Sequence, residues 1–143
     1  METSIGYKFV GLDLKQFATF EEDYKNDEQD IEISCKFTFA YNFAQNLVCC
    51  SNSISMTKEG NTLIKADLDA YFAIAPSSVE ALTENGYVVL PEGLQAQFAS
   101  LAYGTMRGVI FTKTLNTPLN KIILPPNDVL SVFNHPIKFK IEK

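Results

Sequence analysis

The stretch that decides the fold runs from Ile31 to Phe43 and reads IEISCKFTFAYNF. Its odd-numbered positions are apolar or aromatic, and its even-numbered positions are mostly polar. Because side chains along a β-strand point alternately to two faces, this pattern predicts a long strand with one apolar and one polar face. Such strands are typical of antiparallel sheets, in which one face packs on the core and the other meets water.

Three further segments show strand patterns, so that a four-stranded antiparallel sheet is expected. The first strand lies around Ile5–Leu14, the third near Leu47–Met56 and the fourth near Leu63–Ile74. Lys58-Glu59-Gly60-Asn61 has the composition of a tight turn, because Gly and Asn tolerate positive φ. The second to fourth strands should therefore form a meander. The link from the first strand to the second, Lys15–Asp30, is long and acidic.

Beyond the fourth strand the apolar residues recur at helical spacing. A short helix capped by Ser77 or Ser78 is predicted to end at Gly86. Leu90-Pro91 opens a longer helix with proline at its first position, and Gly108 is the residue expected just after its end. One face of this longer helix carries the apolar residues Leu94, Phe98, Leu101, Ala102 and Met106.

The remaining residues predict short elements only. Val109–Thr112 is a short apolar run, and Asn116-Thr117-Pro118 is a turn. Asn127 or Asp128 is placed to cap a short helix that reaches about Phe133. In Ile137–Ile141 apolar residues alternate with lysines, which predicts a last short strand or an extended tail.

The size and composition of the chain fit one folded domain over residues 1–143. Hydrophobic residues make up 46% and charged residues 20% of the 143 residues, which excludes a disordered chain. Strands followed by helices predict an α+β fold with the helices on one face of the antiparallel sheet. No apolar run approaches the roughly 20 residues of a membrane span, and no signal peptide is evident at the start.

The charge and the cysteines favour a cytoplasmic protein that does not bind nucleic acid. The net charge is −5, and Arg107 is the single arginine, whereas nucleic-acid binders carry a basic footprint. Seven acidic residues lie between Glu21 and Glu32. They form either a solvated loop or a docking surface for a basic partner. Three cysteines without the spacing of a zinc site fit a reducing compartment: Cys35, Cys49 and Cys50.

The sequence carries no pattern that points to catalysis. His135 is the single histidine, and no nucleophile elbow, phosphate loop or dinucleotide motif is present. Asp67 and Asp69 share one strand face, so a carboxylate pair is geometrically possible. Lys65 and Tyr71 beside them are more typical of an ordinary exposed sheet face. We therefore expect a protein that is not an enzyme, without a cofactor or a metal ion.

The aromatic content is the unusual feature of the composition. Eleven Phe and six Tyr make up 12% of the chain, with no Trp. These residues either fill a small core or supply surplus apolar surface for an interface or for an extended peptide. A sheet covered by only one long helix and two short ones leaves strand faces uncovered, and an oligomer would bury them.

The order of elements and several short motifs resemble the SecB-like chaperone family. Leu90-Pro91 opens the long helix, Arg107-Gly108 ends it, and Leu124-Pro125-Pro126-Asn127 follows at matching spacing. The resemblance covers roughly Ile5–Phe133. The last helix of that family is long, whereas here Asn134-His135-Pro136 cuts it short.

The resemblance implies a chaperone that holds unfolded or pre-export polypeptides in long hydrophobic grooves, without nucleotide, as a dimer of dimers. It implies that aromatic residues of the link and of the sheet bind polypeptide, although those of the sheet suit the core equally well. These candidates are Phe17, Phe20, Tyr24, Phe37, Phe39 and Tyr41. The long helix corresponds to the assembly helix of the family, with candidate interface residues Leu94, Phe98, Leu101, Gly104 and Met106.

The resemblance also implies partners. An acidic patch docks the export motor in this family, and the candidates here are Glu21, Glu22, Asp23, Asp67 and Asp69. Other members of the family serve toxin–antitoxin systems. The leading hypothesis is therefore a cytoplasmic holding chaperone. The alternative is a structural or assembly protein that docks one folded partner, and a third hypothesis is a small-ligand binder with a cleft between sheet and helix.

Overall fold

A four-stranded antiparallel sheet forms the centre of the computed structural model, which describes residues 5–21, 31–125 and 132–141. The strands lie in the order β1-β4-β3-β2, so β2, β3 and β4 form a meander and β1 pairs with β4. The predicted α+β fold is confirmed. The strand bounds are β1 Tyr7–Thr19, β2 Ile31–Asn42, β3 Leu47–Lys58 and β4 Asn61–Ile74.

The register of the sheet places most of its large apolar side chains on one face. Phe37 of β2 lies opposite Asn52 of β3, and Asn52 lies opposite Leu68 of β4. Odd-numbered residues of β2 therefore share a face with even-numbered residues of β3 and β4. The predicted turn between β3 and β4 is also confirmed, because Glu59 and Gly60 both have positive φ, at 52° and 82°. Such a pair matches the twist of a hairpin.

Strand β1 is longer than predicted and reaches Thr19 instead of ending near Leu14. Its register shifts twice, between Phe9 and Gly11 and between Leu14 and Gln16. Each β-bulge adds one residue and reverses which face the next side chain meets. The two bulges keep one apolar face in a strand whose apolar residues are spaced alternately by two and by three: Tyr7, Phe9, Leu12, Leu14 and Phe17.

A second, smaller sheet follows β4 and was not predicted. Helix α1 spans Pro76–Leu82, and β5 (Thr83–Glu84) and β6 (Tyr87–Leu90) form a hairpin after it. Gly86 therefore serves the hairpin turn, at φ 84°, and does not end the helix. Neither predicted serine caps α1, because the residue before the helix is Ala75 and the hydroxyl of Ser78 accepts a hydrogen bond from the Gly6 N–H.

The C-terminal strand β7 (Ile137–Lys140) completes this second sheet, which has the order β5-β6-β7. The predicted last short strand is therefore confirmed. The short helix predicted from Asn127 or Asp128 falls mainly on residues outside the described ones. Phe133, where that helix was expected to end, is not helical.

The long helix α2 spans Glu92–Lys113, with Pro91 as the residue before it and not as its first residue. The helix continues through Gly108, and Val109–Thr112, predicted as a separate apolar run, is its last turn. A glycine costs a helix only about 1 kcal/mol, and the burial of Ile110 two residues beyond offsets that cost. None of the described helices, α2 included, has the length and apolar composition needed to span a membrane.

The end of α2 is fixed by side-chain hydrogen bonds to carbonyls of its last turn, of which Ile110 O also accepts the Thr114 N–H at 3.1 Å. Thr114 Oγ1 donates to Ile110 O at 2.7 Å, and Asn120 Nδ2 donates to Phe111 O at 2.8 Å. Such bonds satisfy the orphaned carbonyl groups of a helix terminus. A 3-10 helix, Pro118–Lys121, begins right after the predicted turn at Asn116, whose φ is 64°.

The core lies between α2 and the apolar face of β3 and β4. At its centre the ring of Phe98 stacks on the ring of Phe72 at 4.1 Å, and Tyr7 meets Phe98 edge-on at 4.8 Å. All the apolar-face side chains of β3 and β4 are buried, whereas those of β1 and β2 are half-buried or exposed.

One polar side chain, Asn52, interrupts this core in the middle of β3 and is fully buried. Its Nδ2 donates to Lys36 O at 3.2 Å and to Cys35 Sγ at 3.4 Å. Its Oδ1 has no hydrogen-bond partner among the described residues. The side chain separates two apolar clusters of the core, one around Phe72 and one around Ile54.

We predict that Phe98→Ala lowers the free energy of unfolding by about 3–5 kcal/mol, because it removes a ring that is fully buried between Phe72 and Tyr7. Chemical denaturation followed by circular dichroism measures the change. The control is Gln97→Ala at the adjacent, exposed position of α2, which should stay within about 0.5 kcal/mol of the original chain. A loss for Phe98→Ala no larger than that of the control would contradict the packing described.

A second prediction concerns the thiols. Burial, followed by the neighbouring Cys49, raises the pKa of Cys50 from its ordinary value of 9.0 to about 12. Below pH 9 the folded chain therefore holds Cys50 as an unreactive thiol, and the stability that this proton binding contributes is lost between pH 9 and 12. Mass spectrometry after alkylation at mildly alkaline pH should find Cys50 unmodified in folded protein and modified in denatured protein. Rapid labelling of Cys50 in folded protein would contradict its burial.

Candidate functional site

A row of three aromatic side chains on β2, Phe37, Phe39 and Tyr41, is the most distinctive surface of the sheet. All three point to the apolar face and are half-buried at the edge of the core. They stand at successive inward positions of one strand, opposite Asn52, Cys50 and Val48 of β3. We call these three residues the aromatic row. Burial raises the pKa of Tyr41, whose neutral hydroxyl donates to Asn46 Oδ1 at 3.2 Å.

The chain's own C-terminal segment covers the aromatic row. Phe133 lies 5.8 Å from Phe37 and 5.7 Å from Phe39, and Phe139 lies 5.6 Å from Tyr41, measured between ring centroids. These distances are typical of favourable aromatic pairs. The row therefore forms one wall of a groove that residues 132–141, here called the C-terminal segment, fill.

The opposite wall of this groove is strand β6. Leu90 pairs with Ile137, and Val88 pairs with Phe139. Gln95 of α2, itself buried, donates from Nε2 to Leu90 O at 2.8 Å and to His135 O at 2.9 Å. The groove is thus built by β2, β6 and the first turn of α2, and it holds an extended backbone over Ile137–Lys140.

Of the other predicted polypeptide-binding residues, the two that the structure describes lie elsewhere. Phe17 belongs to β1 and not to the link, and it packs on the core opposite Ala66. Phe20 follows β1 directly and is 48% exposed. Strands β1 and β2 are the two edges of the sheet, so that about 14 Å separates Phe17 from the aromatic row across it. Tyr24 lies outside the described residues.

The polar face of the sheet carries the predicted acidic residues Asp67 and Asp69 among charges of both signs. Asp69 accepts a hydrogen bond from Ser51 Oγ at 2.6 Å and lies opposite Asp13. Asp13 in turn pairs with Lys15, whose Nζ lies 2.8 Å from the carboxylate. The register thus adds Asp13 to the acidic residues of this face. The alternation of the sequence did not predict this position, because the two bulges of β1 change which residues share a face.

Of the remaining acidic candidates, only Glu21 lies among the described residues, and it is not part of this polar face. Glu21 is exposed beyond the end of β1, near the start of β4. It lies level with Thr62 of β4, five residues and about 17 Å along the strand from Asp67, and still farther from Asp69. Glu22 and Asp23 lie outside the described residues. No group of three His, Cys, Asp or Glu side chains within residues 5–21, 31–125 and 132–141 is placed to hold a metal ion.

The exposed side of α2 and the free edge of β1 form a second surface, which we call the assembly surface. Leu101 of α2 is 39% exposed, and Phe9 and Leu12 of β1 are 40% and 51% exposed. A shallow hollow between Tyr7 and Leu101 joins the strand to the helix. β1 is an edge strand, so its outer backbone groups face away from the sheet.

Two of the five predicted interface residues belong to this assembly surface. Leu101 and Gly104 are exposed, and a side chain added at Gly104 would meet nothing within 4 Å in the subunit. The other three, Leu94, Phe98 and Met106, lie inside the subunit, where they pack on the sheet. The interface hypothesis therefore narrows to the exposed pair and to the neighbouring edge of β1.

The comparison with solved structures identifies the fold. The structure is similar to that of Rv1957, a SecB-like chaperone from Mycobacterium tuberculosis in complex with a ChAD peptide from the Rv1956 HigA1 antitoxin. The likeness covers 85% of this chain and 90% of that chain, with a TM-score of 0.52 and 10% sequence identity. The chain thus has the fold of a SecB-like chaperone. No protein-family model matches the sequence, and neither does any curated protein.

We predict that Gly104→Leu dissociates the assembled protein while each subunit stays folded. The subunit has open space at this position, whereas the interface hypothesis places Gly104 in a helix–helix contact between subunits, which a leucine would overpack by about 1–3 kcal/mol. Analytical ultracentrifugation gives the mass and circular dichroism the fold. Thr112→Leu, an exposed change two turns along the same helix, is the control. An unchanged mass for folded Gly104→Leu would contradict the assembly surface.

Proposed function

We propose that this chain is a holding chaperone without enzymatic activity, which binds extended apolar segments of unfolded or pre-export polypeptides in the groove beside the aromatic row. The observation that carries the proposal is the apolar segment that already lies in this groove: Phe133 packs on Phe37 and Phe39, and Phe139 of the extended strand β7 packs on Tyr41. The SecB-like fold supports it.

The chemistry of the groove suits a client of variable sequence. Aromatic rings offer large apolar faces that accept aliphatic or aromatic side chains with little demand on sequence. The edge of a strand adds backbone hydrogen bonds, which every polypeptide except at proline can satisfy. A groove that combines the two selects for extended, apolar chain and against folded proteins, whose apolar residues are buried.

The proposal includes assembly into a homo-oligomer, a dimer or a tetramer. The assembly surface supports it, because half-exposed apolar side chains and an unpaired strand edge are joined there in one subunit. Burying them against a second copy would remove an edge that otherwise invites aggregation. Several grooves in one oligomer would also hold one long client at several points, which raises its overall affinity.

Partners other than unfolded clients fall into two classes in this proposal. The first class is a toxin–antitoxin protein. It is supported by the chaperone from Mycobacterium tuberculosis, which is in complex with a peptide from an antitoxin. An export motor would need the acidic residues, of which Asp13, Asp67 and Asp69 lie together on the polar sheet face.

A second candidate function is a structural or assembly protein that docks one folded partner. The observation that favours it is that the aromatic row is already covered in the isolated chain, which leaves the patterned charges of the polar face as accessible surface. Such a protein would bind one native surface and would ignore unfolded chains.

We predict that the protein suppresses the aggregation of two unrelated denatured proteins at near-stoichiometric amounts, without nucleotide. Light scattering after dilution from denaturant measures the effect. Phe39→Ser, in the aromatic row, should weaken suppression several-fold by removing one wall of the groove. Phe111→Ser makes the same change at an exposed position of α2 outside the row and should leave suppression intact. Suppression of neither denatured protein would reject the chaperone in favour of the second candidate.

A further inference from the structure

We infer that the C-terminal segment, residues 132–141, is an internal ligand that occupies the client groove, and that an extended polypeptide with alternating apolar side chains displaces it. The inference deepens the proposed function and rests on it, since it names the form in which a client binds and what it must compete with.

The C-terminal segment has the chemistry of a bound extended peptide. Ile137, Phe139 and Ile141 pack against the core cluster around Phe72, while Lys138 and Lys140 between them are exposed. Its backbone pairs antiparallel with β6 over four residues, and the Ile141 N–H donates to Gly86 O at 3.0 Å. Peptides that are recognised by strand addition bind in this way, with backbone hydrogen bonds for affinity and alternate side chains in pockets.

The groove does not depend on its occupant. Val88 and Leu90 of β6 are almost completely buried, and β6 also pairs with β5 on its other side. Gln95 ties Leu90 to α2, and β2 is held along its whole length by β3. Both walls are therefore anchored to the main core by contacts that the C-terminal segment does not make.

The occupant, in contrast, is held lightly. β7 has four residues, lies at the edge of its sheet, and its apolar side chains are only half-buried. Segments with few buried contacts at a sheet edge open at a small fraction of the free energy of global unfolding. Displacement of β7 therefore leaves the rest of the fold intact.

A tethered ligand competes with an incoming one at an effective concentration in the millimolar range. The apparent affinity for a free peptide is the affinity of the vacant groove multiplied by the fraction of time that the groove is vacant. Weak apolar peptides are excluded, whereas long unfolded clients with several alternating segments displace the C-terminal segment. The segment thus sets a threshold for binding.

The first test weakens the occupant in the full-length chain. The probe is a fluorescent synthetic peptide with the sequence of residues 134–143, and fluorescence anisotropy gives its dissociation constant. In the variant Ile137→Ser/Phe139→Ser the groove is vacated, so the probe should bind about tenfold more tightly than to the original chain. Lys138→Ser/Lys140→Ser, which changes the exposed side of the same strand, is the control and should bind the probe like the original chain. Equal affinity in all three proteins would overturn the inference.

The second test locks the occupant in place. Tyr87 and Lys140 are register partners on the exposed side of the β6–β7 pair. The neighbouring pair, Gly86 and Ile141, is hydrogen-bonded, so Tyr87 and Lys140 form a non-hydrogen-bonded pair of the antiparallel ladder. The Cα atoms of such a pair lie about 4.5 Å apart, which is within reach of a disulfide. In Tyr87→Cys/Lys140→Cys the oxidised protein should bind the probe at least tenfold more weakly than the same protein after reduction. Equal binding in the two states would overturn the inference.

These two tests separate the inference from the proposed function. If the locked protein still suppresses aggregation as well as the reduced protein does, the chaperone stands and the internal ligand is rejected. If no form suppresses aggregation but the lock blocks the probe, the groove is a peptide site and the chaperone is rejected. A fall in oligomer mass on locking would assign the groove to the C-terminal segment of a second copy and would also overturn the inference.

Discussion

One helix has to cover a sheet that is wider than itself, and the rest of the structure depends on that mismatch. Four strands place about 14 Å between the outer strand axes, whereas a helix with its side chains is about 10–12 Å across. Helix α2 therefore lies over the central strands β3 and β4, where Phe98 stacks on Phe72. The inward side chains of β3 and β4 are all buried, and those of the outer strands are not.

The helix leaves two edges of the sheet uncovered, at β2 and at β1, and the chain covers only the β2 edge with another segment. The two edges therefore form different surfaces: the groove and the assembly surface. On the β2 flank the C-terminal segment lies over the aromatic row and completes a second layer with β6. On the β1 flank no described residue covers Phe9 and Leu12 to the same extent. One flank is thus a groove suited to extended chain, and the other is a surface suited to a second copy. Aromatic side chains gather on both because wide rings bury large areas even under partial cover.

Much of the fold was predictable because it follows from local periodicity. The alternation from Ile31 to Phe43 predicted β2, and the turn at Glu59-Gly60 predicted the hairpin that follows β3. The errors have physical causes. Two bulges broke the alternation of β1, and packing of Ile110 carried α2 past Gly108. The short strands β5 and β6 are too brief for a periodic signal, since β5 pairs over only two residues. Of the candidate site, the alternation of β2 predicted that Phe37, Phe39 and Tyr41 share one face, but only the strand order shows that Phe17 lies at the opposite edge of the sheet.

The sequence by itself determined which face of β2 and of β4 is apolar, because a period of two residues is a local property of a strand. It also placed the aromatic residues of β2 on a single face. Only the tertiary structure decided which apolar faces stay accessible, because cover comes from elements distant in the chain: α2 over β3 and β4, and residues 132–141 over β2. The packing of the sheet on α2 also decided that Leu94, Phe98 and Met106 are core residues, whereas Leu101 and Gly104 face outward. The spacing of the apolar residues in α2 does not determine which side of the helix the sheet contacts.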